Sequence, residues 1–258
     1  MSFDGFAAAH GWAALLLALA GMFAAGFSKG VVGFALPMIS ISLIGSMLPA
    51  PLAIAAIIAP SVVTNIWQTF RQGLGAARET LREFARLNVM LFVMIALCAQ
   101  LVVWLPERAL FLILGVGVSG FAFAQLLGLR LPPTPARRRG PVEAGVALVA
   151  GFFGGLSAVW GPPIVLYLTS LGLDKRAMVR AQGISFLIGS LVLAAAHLRS
   201  GLLLGPGGAL SLAMILPAVA GMALGLAVQD RLDAERFRRA TLIVLVLAGL
   251  NLLRRGIF

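Results

Sequence analysis

The stretch "AGFSKGVVGFALP", residues 25–37, decides how this chain is read. It sets one lysine among glycines, and from Gly5 to Phe70 there is no other Asp, Glu, Lys or Arg. A solvated loop would surround Lys29 with polar neighbours, and a plain membrane helix would leave it out. About 20 predominantly apolar residues cross a bilayer, so the charge-free run from Gly30 to Phe70 is too long for one crossing. "SMLPAP" at 46–51 divides it. Gly26, Gly30 and Gly33 are expected to let the backbone turn within the membrane and come close to a solute.

The rest of the chain has the same character. Of its 258 residues 60% are hydrophobic and only 11% are charged, where a soluble domain carries roughly 25%. The sequence therefore reads as an integral membrane protein of one domain. Its longest polar interval, Leu129–Glu143, leaves no room for a soluble module. A net charge of +11 could point to nucleic acid. The basic residues instead sit in short clusters between apolar runs, where the positive-inside rule puts them, so the lipid bilayer and not nucleic acid is the expected partner. Cys98 is alone inside an apolar run and the two histidines are far apart. Neither a disulfide framework, a metal site nor a cofactor is expected. The first residues lack a basic n-region, so no cleaved signal peptide is expected.

A repeat organises the segments. "AGFSKGVVGFALPMI" (25–39) aligns without gaps to "AGFFGGLSAVWGPPI" (150–164), pairing Gly26 with Gly151, Gly30 with Gly155 and Pro37 with Pro162. "FRQGL" (70–74) echoes "LRSGL" (198–202). The expected division is repeat one over about 11–129, a basic Pro-rich linker over 130–142, and repeat two over about 143–254. The arginines choose between two topologies. If both glycine-rich segments crossed the membrane, Lys and Arg would divide almost evenly between its sides. If each enters and returns as two half-helices, the clusters 71–86, 130–139, 175–180 and 231–239 share one side. Fifteen basic residues then face four, with Lys29 in the membrane. The predicted fold is an all-α polytopic membrane protein of about eight hydrophobic segments, in two inverted repeats. Each repeat is a re-entrant broken-helix hairpin plus three transmembrane helices. In such architectures the site lies at midplane, where broken helices meet. Both termini are expected on the periplasmic side of the inner membrane and the linker in the cytoplasm.

Under that topology the candidate binding residues are Ser28, Lys29, Gly30 and Gly33 of the first hairpin, and Gly154, Gly155, Ser157 and Trp160 of the second. Asn65 and Gln68 on the next helix share a face with Thr64, and Gln182 and Ser185 occupy the corresponding helix of the second half. The hairpin tips are expected to meet at Gly30 and Gly155. Returning half-helices would begin near Phe34 and at Pro162–Pro163, aiming positive dipole ends at the break. Two helix N-termini and a lysine without a carboxylate make a site for a small anion. His197 is expected at the interface, and the last segment, 236–253, is expected to be short, with Arg254 and Arg255 snorkelling. Asp4, Glu79, Glu83, Glu107, Glu143, Asp174, Asp230, Asp233 and Glu235 all fall in loops or at helix ends, so no buried acid for proton coupling is expected. An exported monoanion needs none, since an inside-negative potential contributes roughly 2.3 kcal/mol per charge per 100 mV in the outward direction.

The paired glycine-rich segments, each followed by a span ending in "RQG" or "RSG", resemble the sulfite exporter TauE/SafE family of bacterial membrane permeases, over about 11–253. The resemblance implies transport, usually outward, of small sulfur-containing anions such as sulfite or organosulfonates. A permease for another small anion or a neutral solute is the alternative. A membrane-embedded enzyme is less favoured, because no His/Asp/Glu grouping lies at membrane depth.

Overall fold

The computed structural model describes residues 11–229, 231 and 233–258. Asp4, Asp230 and the N-terminal stretch behind the signal-peptide expectation lie outside the described residues. Within them the regular structure is helical, without strands. In chain order the helices are α1 (Trp12–Val32), α2 (Leu36–Ile44), α3 (Ala50–Phe70), α4 (Leu74–Glu83), α5 (Ala85–Cys98), α6 (Glu107–Leu126), α7 (Arg139–Ser157), α8 (Gly161–Ser170), α9 (Lys175–Arg199), α10 (Pro206–Ala213), α11 (Ile215–Val228) and α12 (Ala234–Ile257). Eight helical segments are long and apolar enough to cross a membrane.

Local chemistry sets the boundaries. α1 ends where Gly33 takes a left-handed φ of 84° and its N–H donates to the Lys29 carbonyl at 2.8 Å, a conformation cheap only for glycine. α2 and α8 carry proline in their first turns, where a missing N–H costs nothing. Asp174 caps α9 by accepting from the Arg176 and Ala177 amides at 2.8 and 3.0 Å. Those bonds hold its carboxyl below the usual range. Asp233 caps α12 in the same way. Within the basic stretch 130–142, α7 already begins at Arg139. α12 is longer than expected, running to Ile257, so Arg254 and Arg255 stay helical. Arg255 donates to the Gly45 and Leu48 carbonyls and lies 4.3 Å from the Phe111 ring centroid.

Chain direction reverses within each glycine-rich segment. α2 comes back along α1, placing Leu43 beside Gly21, and α8 comes back along α7, placing the Tyr167 hydroxyl 2.6 Å from Glu143. The arms are unequal, which corrects the expectation of two half-helices. α1 has 21 residues, enough for a full crossing, and α2 has nine; α7 has 19 and α8 has ten. The reason lies in how the glycines are used. A Cβ on Gly30 would sit 2.5 Å from the Met222 carbonyl oxygen, and one on Gly155 would sit 2.7 Å from the Cys98 Cβ. These glycines, with Gly26 and Gly151, let α1 and α7 lie against α11 and α5, the small-residue packing common between membrane helices. The helix therefore continues past them.

These contacts also give relative directions. Gly26 lies at Ala218 and Gly30 at Met222, so α1 and α11 run the same way. Gly151 lies at Met94 and Gly155 at Cys98, so α7 and α5 also do. α6 and α12 run oppositely, with Ser119 at Gly249 and Leu112 at Gly256. So do α3 and α9, with Asn65 at Phe186 and Gln68 at Val179. At one end of the bundle three arginine clusters come together. Arg180 reaches Thr80 and Gln72, Arg139 lies 3.6 Å from Glu83, and Arg86 pairs with Glu143.

Glu143 corrects one expectation. It lies near a helix end, as its sequence position suggests, yet it is only 2% exposed. The returning α8 and the start of α5 cover it, supplying the Tyr167 hydroxyl and the Arg86 guanidinium. His197, in the last turn of α9, is fully buried in the protein, where the chain after α9 folds back until the Leu203 amide donates to the His197 carbonyl.

Candidate functional site

The two reversals meet. Gly33 and Ala158, equivalent in the repeat, both adopt left-handed backbone, with φ of 84° and 59°. Ala35 does too, with φ of 81°. Ala35 and Ala158 are the non-glycine residues with positive φ among the described residues. Such conformations cost of order 1 kcal/mol or more for an alanine and collect at functional sites. The turns enclose a small cavity lined by Phe34 and Ala35 on one side, by Ala158 and Trp160 on the other, and by Lys29, Asn65 and Phe186. Asn65 and Phe186 come from α3 and α9, and Phe186 lies close to the middle of α9.

Lys29 is 3% exposed. Its ammonium donates to the Thr64 hydroxyl at 3.0 Å and to the Asn65 side-chain oxygen. Thr64 can accept because its own proton goes to the Pro60 carbonyl at 2.7 Å, and Asn65 is held in orientation by the Phe186 carbonyl and the Ser190 hydroxyl, at 2.9 and 3.2 Å. An ammonium has three donors, and these two neutral acceptors take two of them. No described carboxylate pairs with Lys29. A buried cation without an anion is costly, so the arrangement has one charge and one donor left to give.

The second turn contributes an aromatic wall. A Cβ on Gly154, the position equivalent to Lys29, would meet the Trp160 ring at 2.7 Å, so the missing side chain makes room for the indole. Trp160 also lies against Gly189, and it both packs and lines the cavity. The first residues of α2 and α8, including Pro37 and Gly161, face the cavity. Proline at 37, 162 and 163 removes three amide donors, so these ends present the helix dipole to the cavity more than hydrogen-bond donors.

The expected residues divide into three groups. Lys29, Asn65 and Trp160 line the cavity together. Gln68, Gly33 and Gln182 form a layer beside it: the Gln68 amide donates to the Gly33 and Val179 carbonyls at 3.2 Å, and Gln182 lies against Gly33. Ser28 is buried on α1 but does not line the cavity. Ser157 bonds back to the Phe153 carbonyl at 2.5 Å, and Ser185 turns toward α5, donating to Asn88 at 2.8 Å. Gly154 lies beneath Trp160. Gly30 and Gly155 face away toward α11 and α5, which corrects the expectation that the tips touch there. Gly161, close to Phe34, is where the turns approach one another. Phe34, Ala35, Ala158 and Phe186 were missed, since an alanine in a left-handed turn leaves no mark in sequence.

A sequence model described as sulfite exporter TauE/SafE matches residues 17–252. No curated protein and no solved structure matches the chain.

Proposed function

Because the chain belongs to the sulfite exporter TauE/SafE family of membrane transporters, we propose that it exports a small anion, sulfite or an organosulfonate, bound at Lys29 between the two turns. The observation that carries this reading is the buried ammonium held by Thr64 and Asn65 with no paired carboxylate. Transport rather than catalysis is favoured because the one hydroxyl nucleophile among the described cavity residues, Ser61, makes no hydrogen bond to a base, and Lys29 is turned to Thr64 and Asn65. A counterflow assay with radiolabelled sulfite against unlabelled sulfite, sulfate, chloride and ammonium tests it. Exchange with sulfite and none with ammonium is expected. Exchange driven by ammonium would overturn the anion reading.

We read the two halves as inverted repeats, with the termini periplasmic and the linker cytoplasmic in the inner membrane. The helix directions support this. α11 runs with α1, α12 turns back after α11, and α6 opposes α12; α5 precedes α6 in reverse, and α7 runs with α5. Followed through, these steps make α7 opposite to α1. The basic clusters gathered at one end support the orientation. Reporter fusions at Phe258 and within 130–135 should report opposite sides of the membrane. Finding both in the cytoplasm would end the inverted-repeat reading.

A further inference from the structure

We propose that Arg180 forms a second anion station, at the basic mouth of a polar seam between α3 and α9 that leads to Lys29; this rests on the transport reading above. The seam is built by spacing. Asn65 and Gln68 lie on the α3 face toward α9, about 4.5 Å apart along the axis at 1.5 Å per residue, and Gln72 extends the seam in the turn just after α3. Gln68 bonds to Val179 and Gln72 to the Arg176 carbonyl. At the far end the Arg180 guanidinium donates to Thr80 at 2.6 Å and to Gln72 at 2.7 Å.

Three observations mark the arginine as a station and not a strut. It is half-buried, and both its side-chain partners are neutral oxygens that fix its direction without cancelling its charge. Among the described residues no carboxylate forms an ion pair with it; Asp174, which caps α9, lies beyond ion-pair distance, though near enough for the two charges to act on each other. Of the other half-buried arginines, Arg139 and Arg238 each have a carboxylate partner, and Arg255 has its charge covered by two backbone carbonyls and the Phe111 ring.

The path inward is polar as well. Gln68, Thr69 and Gln182 are buried, yet Gln68 Oε1, Thr69 Oγ1 and Gln182 Oε1 have no protein partner, which suits a route that water or a solute enters. In the other half of the same seam the repeat places Ile54, Ile57, Leu193 and Ala196 where the basic half has Gln182, Ser185, Asn65 and Gln68, with His197 as its buried titratable group. The glutamine and asparagine side chains are on the half toward the basic end. An anion would exchange water for the guanidinium at the mouth before meeting the ammonium inside. The chemistry recognised is a planar-forked donor on a sulfonate or sulfite oxygen pair.

The test is protection of Arg180 from phenylglyoxal in the full-length protein in vesicles, followed by peptide mass spectrometry. Methanesulfonate is the probe, since sulfite would react with the reagent. It is expected to slow modification of Arg180 about fivefold or more, and to leave the exposed Arg78 and Arg137 unchanged. The same protection is expected in Lys29→Gln. Equal modification with and without the probe, or loss of protection in Lys29→Gln, would overturn a separate station. In flux, Arg180→Gln should raise the half-saturating sulfite concentration about tenfold at the basic face alone, equivalent to ~1.4 kcal/mol, with Arg180→Lys recovering part. An equal shift at both faces would make Arg180 structural and overturn the proposal. Protection of Arg180 in a wild-type protein that shows no sulfite counterflow would leave the station standing and remove the transport reading.

Discussion

Lys29→Gln is expected to cut sulfite efflux from loaded vesicles at least tenfold, with the protein inserted and folded at wild-type level. Glutamine is close in length and can still donate to Thr64 or Asn65, so packing around the turn survives. What is lost is the charge. Attraction to a monoanion at about 4 Å is worth on the order of 4 kcal/mol at an intermediate effective dielectric. Desolvation of both partners takes back part of it, and about 1.4 kcal/mol remaining already gives tenfold. Lys29→Arg keeps the charge in a cavity shaped for a smaller head, and should retain a fraction of the flux. Efflux and protein level are measured in the same preparation. Wild-type efflux from the glutamine variant would make Lys29 an anchor between helices and nothing more.

Glu143→Ala should produce the largest loss of stability of any single carboxylate removed. The carboxylate is 2% exposed and accepts from Tyr167 and Arg86, with Arg139 at 3.8 Å. Breaking a buried pair from one side costs about 3–5 kcal/mol. Here the arginine side chains are 53% and 27% exposed and can partly rehydrate, so on the order of 3 kcal/mol is expected. That corresponds to roughly 6–12 °C in the melting temperature of the detergent-solubilised protein. Arg86→Gln, which removes only the more exposed partner, should cost clearly less. Equal melting of Glu143→Ala and wild type would show that Tyr167 and the two arginines are satisfied without it.

Much of this architecture could be read before any coordinates. The hydrophobic runs gave the spans, because a bilayer demands length and apolarity together, and the arginine clusters singled out the segments that turn back. The repeat at Gly26 and Gly151 marked both hairpins. Helix length within them was hidden. A glycine that ends a helix and a glycine that lets two backbones touch look alike in sequence, and only the partner helix decides; Gly30 and Gly155 proved to be of the second kind, Gly33 of the first. In the site, Lys29 was conspicuous as a lone charge, and Asn65 followed from its helical register. Phe34 and Phe186 were not, being two of 16 phenylalanines in a chain where aromatic rings are common. The burial of Glu143 depends on α8 folding back over it, a contact between residues 24 apart that no local pattern encodes.

The glycine contacts have a consequence for how the chain could be divided. α1 lies backbone to backbone with α11, and α7 with α5, so each hairpin is welded to a helix of the other half. A gene cut in the linker would yield two fragments, neither of which holds a complete rigid piece. Each would lack the groove that its own hairpin fills in the other. Such fragments should assemble only when made together, as two hands clasp. Any rocking that carries a solute across would likewise move composite pieces, drawn from both ends of the gene.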